Sequence, residues 1–150
     1  MAILAKIKEL INRIDEIELV GGDFISRFDC ETIRREYNGI GPEFFNPKLR
    51  AKVTEFLAIF EPAAVIHDMR NFESDGKRSA FDYANWEFLE NCRKCAAAEY
   101  QWEWKRPLRI LKRWRAYAVA ELMYKFVDGP AGWRAWMDCY GKNQKRMETK

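Results

Sequence analysis

The sequence predicts an all-α fold, and three features carry that prediction. Apolar residues recur at spacings of three and four through most of the chain. No stretch alternates apolar and polar residues as a half-buried strand would. Runs containing Gly or Pro, such as "GGDF", "NGIGP" and "DGP", cut the chain into helix-sized lengths.

The elements follow in order. A first helix covers about residues 3–18, with Ile3, Leu4, Ile7, Leu10, Ile11, Ile14 and Ile17 on one broad face. "GGDF" stops it, and a short helix lies near residues 29–36. "YNGIGPEFFNP" is a loop, after which "KLRAKVTEFLAIF" resumes helical spacing. Pro62 suits the first turn of the next helix, because its missing N–H has no partner there anyway. "NFESDGKRS" is a turn, and Ser79, with Asp82 three residues on, reads as the N-cap of a long helix to about Tyr100. "RPLRILKRWRAYAVAELMYKF" forms a further helix that "DGP" at 128–130 ends. A short aromatic helix, "AGWRAWMDCY", closes a single helical domain over residues 1–140, and 141–150 is a basic, flexible tail.

Composition narrows the function classes. A chain of 150 residues buries roughly 68–70% of its unfolded surface and holds a core without metal or disulfide. Lys and Arg number 26 against 23 Asp and Glu, a net charge of +3 that singles out no partner. Cys30, Cys92, Cys95 and Cys139 form no secreted disulfide framework. The CxxC at 92–95 falls inside a helical segment, where no helix N-terminus lowers a thiol pKa, so structural thiols are expected. The N-terminus is amphipathic and charged, and no run approaches the ~20 apolar residues of a membrane span. A soluble, cytoplasmic protein is expected.

Three features bear on chemistry. His67, the only histidine, shares a helical face with Phe60, Ala63 and Ala64 and is followed by Asp68. A single histidine excludes the multi-histidine metal sites of hydrolases built on a His-Asp pair. Asn85 lies within an apolar stripe of Phe81, Phe88 and Cys92. A buried amide needs a partner, which is either His67 across an antiparallel helix pair or a neighbouring backbone group or water. In "YNGIG", Gly39 and Gly41 allow successive carbonyls to turn to one point. The carbonyls of Tyr37, Gly39 and Gly41, with Asp68 and water, supply the oxygen ligands that Ca²⁺ takes; the alternative is an ordinary turn.

In order and spacing, "NGIGPE" at 38–43, "FEPAAVIHD" at 60–68 and "NWEF" at 85–88 resemble the phospholipase A2 fold, and most closely the small phospholipase A2-like proteins of phages and prophages. The resemblance covers about residues 37–92. The chain departs from the family pattern at Ile40 and Ala64, where cysteines stand, at Asn71 in place of Tyr, and at Asn85 in place of Asp. The resemblance implies an antiparallel helix pair with additional N- and C-terminal helices, and a calcium-dependent hydrolase of phospholipid carboxylic esters. His67 is then the general base on water and Asn85 its partner. Asp68 and the carbonyls at 37, 39 and 41 hold Ca²⁺, and the Gly39 N–H helps hold the oxyanion. The alternative is a non-catalytic descendant that binds an anionic membrane, nucleic acid or a phage or prophage partner.

Outside the resemblance, "WEWKRPLRILKRWR" clusters cations among tryptophans. Trp104, Arg109, Lys112, Arg113 and Trp114 suit an anionic lipid surface or, less readily, a nucleic-acid backbone; the alternative to both is a solvated helix face with the tryptophans in the core.

Overall fold

The computed structural model describes residues 2–37, 39–40, 46–48, 57–103 and 105–148. Among them are seven α-helices and no strand: α1 (Ala2–Ile17), α2 (Gly22–Ile25), α3 (Cys30–Glu36), α4 (Glu61–Phe72), α5 (Arg78–Glu99), α6 (Arg109–Val127) and α7 (Pro130–Glu148). A 3-10 turn, Ala58–Phe60, leads into α4. The expected all-α class is observed. Gly41 and Trp104, singled out in the sequence, lie outside the described residues, as does most of "KLRAKVTEF".

α4 is the centre of the molecule. Its residues 61–67 and Met69 are all buried, so it is covered on nearly every side, by α1 and α3, by α5 and by α7. The small Ala63 and Ala64 on this helix bring neighbouring axes close. Ile7, Leu10 and Ile14 of α1, Ile33 of α3, and Phe88, Leu89 and Cys92 of α5 complete the same core. α6 presents Ala116 and Ala120 to it. A second, smaller cluster joins Phe81 and Ala84 of α5 to Trp136 of α7.

Polar groups inside this core set its register. Arg70 of α4 donates twice to Glu87 of α5, at 2.9 Å each, and stacks 3.8 Å above the Phe24 ring of α2. Gly21 sits over the same carboxylate with φ +88°, and a Cβ there would lie 2.8 Å from Glu87 Oε1. Only glycine tolerates both the left-handed backbone and that approach. Asn91 accepts from the Val20 N–H and donates to the Val20 carbonyl, both at 2.8 Å, which fastens α5 to the chain leaving α1.

Two local expectations change. α5 starts at Arg78 with no side-chain cap, so Ser79 lies inside the first turn. The Asp75 carboxylate instead accepts the Lys77 N–H at 2.9 Å, and Asp82 pairs with Arg78 one turn away. At the other end α7 runs to Glu148, through the segment expected as a tail. Asn143 ties it down, donating to the carbonyls of Phe72 and Ser74 at 2.7 and 3.3 Å. The thiols behave as structural groups. Burial raises Cys92 well above its ordinary value and pushes Cys95 up to about 12. Among the described residues no helix is long and apolar enough to cross a membrane.

The Arg70–Glu87 pair provides a stability test. Glu87 is 1% exposed at its side chain, so Arg70→Ala leaves an uncompensated buried carboxylate. A loss of about 3–5 kcal/mol in urea unfolding is expected, and Glu87→Gln in the same background should recover part of it.

Candidate functional site

The site grows from the contact between α4 and α5. The two helices run back along each other across the 73–77 turn, so that Ala63 lies by Cys95 while His67 and Arg70 lie by Asn85 and Glu87. His67 is 9% exposed and packs its ring 4.9 Å from that of Phe88. Asn85 is fully buried. The two meet directly, with His67 Nε2 3.0 Å from Asn85 Oδ1. Of the two partners open to Asn85 from sequence, the structure contains the histidine.

The contact is one link in a longer chain of hydrogen bonds. Asn85 Nδ2 donates to Asp128 Oδ1 at 3.1 Å, and Asn71 Nδ2 lies 3.4 Å from His67 Nδ1. Side chains from α4, α5 and the end of α6 are thereby joined in the order Asn71, His67, Asn85, Asp128. Sequence reading missed Asp128 and took "DGP" only as a helix stop. A signal was present, since an acid at a helix C-terminus opposes the macrodipole and calls for a donor from elsewhere. That donor is the Asn85 amide.

Burial favours the neutral form of the imidazole. Burial lowers the His67 pKa below its ordinary 6.5, opposed by the hydrogen bond to Asn85. Asp68 Oδ1 stands 4.0 Å from Nδ1, on the side of the ring away from Asn85. Next to this side is Tyr37, whose phenol donates to Glu61 Oε2 at 2.9 Å, while Lys6 pairs with the same oxygen at 2.7 Å. Burial raises the Tyr37 pKa strongly, and the charges of Glu61 and Asp68 add to it. Asp68 therefore lies near enough to Tyr37 for its charge to be felt at the phenol.

Gly39 has φ +85°, the left-handed conformation its sequence context suggested. Ile40 beside it is buried in the same core as Ala64. Among the described residues no three His, Cys, Asp or Glu side chains gather as a metal site. A shell built mainly of main-chain carbonyls needs only one carboxylate. A carboxylate and main-chain carbonyls are the kind of hard oxygen donor that Ca²⁺ accepts.

The basic segment divides into two groups. Arg109 is engaged with Glu103 and with the Glu99 carbonyl, and Arg113 donates to the Tyr117 hydroxyl at 2.8 Å and lies over its ring. Lys112, Trp114 and Arg115 are exposed. With them is a row that sequence reading did not single out: Leu108, Leu111, Trp114, Ala118, Leu122 and Phe126, all exposed and spaced by three or four residues. α6 is thus apolar on two faces, one against the core and one outward.

In comparisons with family models, curated proteins and solved structures, nothing matches this chain.

The buried neutral imidazole makes stability pH-dependent. Its folded pKa lies below the unfolded value, so its contribution is fully present above about pH 6.5 and is lost as pH falls through the folded pKa. Thermal unfolding between pH 7.5 and 5 should show a falling Tm, and His67→Gln should flatten that part of the profile.

Proposed function

We propose that this chain is a phospholipase A2-type hydrolase of phospholipid carboxylic esters that works with Ca²⁺, the fold being a phospholipase A2-like antiparallel helix pair with additional N- and C-terminal helices. The observation that carries the reading is the state of His67: a buried imidazole, anchored at Nε2 by Asn85, with Nδ1 turned toward Asp68. The order of glycine loop, His-Asp helix and partner helix supports it from the sequence.

The residues act as follows. Nδ1 of His67 carries the lone pair and takes a proton from water as the water oxygen bonds to the ester carbonyl carbon. The 3.4 Å contact from Asn71 is long enough to give way to that water. The imidazolium that forms is held at Nε2–H by Asn85 Oδ1, and it returns the proton to the leaving alcohol oxygen. Asp68 and carbonyls of Tyr37, Gly39 and Gly41 would hold Ca²⁺, which would supply Lewis-acid polarisation of the ester carbonyl. The Gly39 N–H is the main-chain donor available to the developing oxyanion.

Hydrolysis of phosphatidylglycerol in mixed micelles, with Ca²⁺ or with chelator, tests the proposal. Activity should require Ca²⁺ and disappear in His67→Ala, while Asp68→Ala should remove the rise in Tm that millimolar Ca²⁺ produces. Hydrolysis that survives His67→Ala, or none in the wild type, would overturn it.

Asn85→Asp by itself is a poor way to strengthen the base. It would put a second carboxylate at hydrogen-bonding distance from Asp128, and the two would be forced to share a proton. The exchange Asn85→Asp with Asp128→Asn keeps one carboxylate and moves it next to His67. A carboxylate rather than an amide at the corresponding place is worth roughly 10⁴ in turnover in a serine-protease triad. Because Asp128 already acts through Asn85, a smaller rise of about tenfold is expected for the exchange, with Asn85→Asp alone less stable than either.

The outward face of α6 favours a second reading, a module that binds anionic membrane, with or without turnover. Its exposed apolar row is bordered by Lys112 and Arg115, while the acids at its edge, Glu103 and Glu121, are engaged by Arg109 and Arg93. Cations with aromatic and aliphatic side chains suit a phospholipid interface, and nucleic acid is the lesser candidate. Leu111→Ser with Trp114→Ser should weaken pelleting with phosphatidylglycerol vesicles more than Arg109→Gln does. Equal pelleting of all three proteins would remove this reading.

A further inference from the structure

We propose that Asp128 acts as a positioning residue for His67, setting the tautomer of its imidazole from two hydrogen bonds away. The inference rests on the reading of His67 as a base, but its geometry stands without any activity.

The argument is one of direction. An aspartate carboxylate accepts hydrogen bonds and donates none. The Asn85 group 3.1 Å from Asp128 must therefore be the amide nitrogen, which leaves the amide oxygen 3.0 Å from His67 Nε2. An amide oxygen only accepts, so the proton of the neutral ring must be on Nε2. Nδ1 then carries the lone pair, and the Asn71 amide nitrogen 3.4 Å away has the matching polarity. Every bond in the chain points the same way, and the only member that cannot be reversed is Asp128. Without it, the buried amide of Asn85 could rotate by half a turn and donate its Nδ2–H to Nε2 of the other tautomer.

The neighbouring groups leave this assignment intact. Phe88, against the ring, brings no polar group. Asp68 lies toward Nδ1 at 4.0 Å, too far for a direct hydrogen bond to the ring. Around Asp128 are Tyr124, whose pKa is raised by burial and by the Asp128 carboxylate, and Asp82, whose charge adds to that rise. A tyrosine hydroxyl that donates to Asp128 leaves the carboxylate an acceptor toward Asn85. Asp128 thus supplies the direction that a carboxylate at position 85 would supply directly.

The single histidine makes the experiment unambiguous, because the only imidazole signals in a ¹⁵N spectrum are those of His67. The full-length protein is labelled and long-range ¹H–¹⁵N correlations are recorded at a pH where the ring is neutral. The wild type should show the Nε2–H tautomer alone. Asp128→Ala should shift both ring nitrogens toward averaged values, as the Nδ1–H form becomes populated. Asp128→Asn keeps an acceptor oxygen but can turn its own amide, so it should shift the ring nitrogens less than Asp128→Ala does. Should Asp128→Ala not fold, Asp128→Ser, whose shorter side chain cannot span the gap, takes its place. A wild type in the Nδ1–H form, or a folded Asp128→Ala or Asp128→Ser protein with unaltered ring shifts, would overturn the proposal. The expected spectra from a protein without esterase activity would keep the role of Asp128 and reject the hydrolase reading alone.

Discussion

Three polar side chains without exposure, Asn85, Glu87 and Asn91 on α5, are the constraint on which the rest of the structure depends. Each would cost about 1–3 kcal/mol if left unpaired, and more for the carboxylate. Their partners come from different parts of the chain: His67 and Asp128 for Asn85, Arg70 for Glu87, and the Val20 backbone for Asn91. A slide of α5 along α4 by one turn would separate Asn85 from His67 and Glu87 from Arg70 together. Apolar packing alone would resist such a slide far less, since Ala63, Ala64, Val65 and Ile66 offer similar surfaces along the helix. The hydrophobic effect brings these helices together, and the hydrogen bonds select one register.

That register is what gives His67 its chemistry. An imidazole in an apolar helix contact is neutral because burial disfavours its charge, and neutrality is the form a proton acceptor needs. Burial alone would leave both tautomers open and the ring free to turn. The Asn85–Asp128 pair removes that freedom, and the turn to α7 places Asp128 at the end of α6 where it can do so. The side of the ring that remains faces Asp68. Asn85 and Asp68 thus lie toward opposite nitrogens of one ring.

α6 joins this centre to the surface. Its inner face, with Ala116 and Ala120, lets it lie close to α5 and deliver Asp128 to Asn85. Its outer face carries Leu108, Leu111, Trp114, Leu122 and Phe126 into solvent. A row of large apolar residues facing water is unfavourable for an isolated chain and is the usual mark of a surface that meets another phase or partner. Lys112 and Arg115 beside it give that surface a positive rim.

The helices were legible in the sequence because local rules govern them: apolar spacing for α1, α4, α5 and α6, Pro62 at a first turn, "GGDF" and "DGP" as stops. The two candidate polar residues, His67 and Asn85, were also legible, because an imidazole and an amide on apolar stripes announce a burial that needs explaining. What local rules leave open is the identity of each partner. Asn85 had two kinds of partner open to it, and the structure provides His67 on one side and Asp128, 43 residues along the chain, on the other. Arg109 and Arg113 look from sequence like the heads of a cationic patch, yet the fold engages them with Glu103 and Tyr117. The tail at 141–148 becomes helix through the Asn143 amide and two carbonyls of the turn after α4. By itself the sequence determined most of the helical segments and that His67 and Asn85 lie on buried faces. Only the tertiary structure decided how those groups pair, because a hydrogen bond depends on distance and direction in space and leaves no periodic trace in the order of residues.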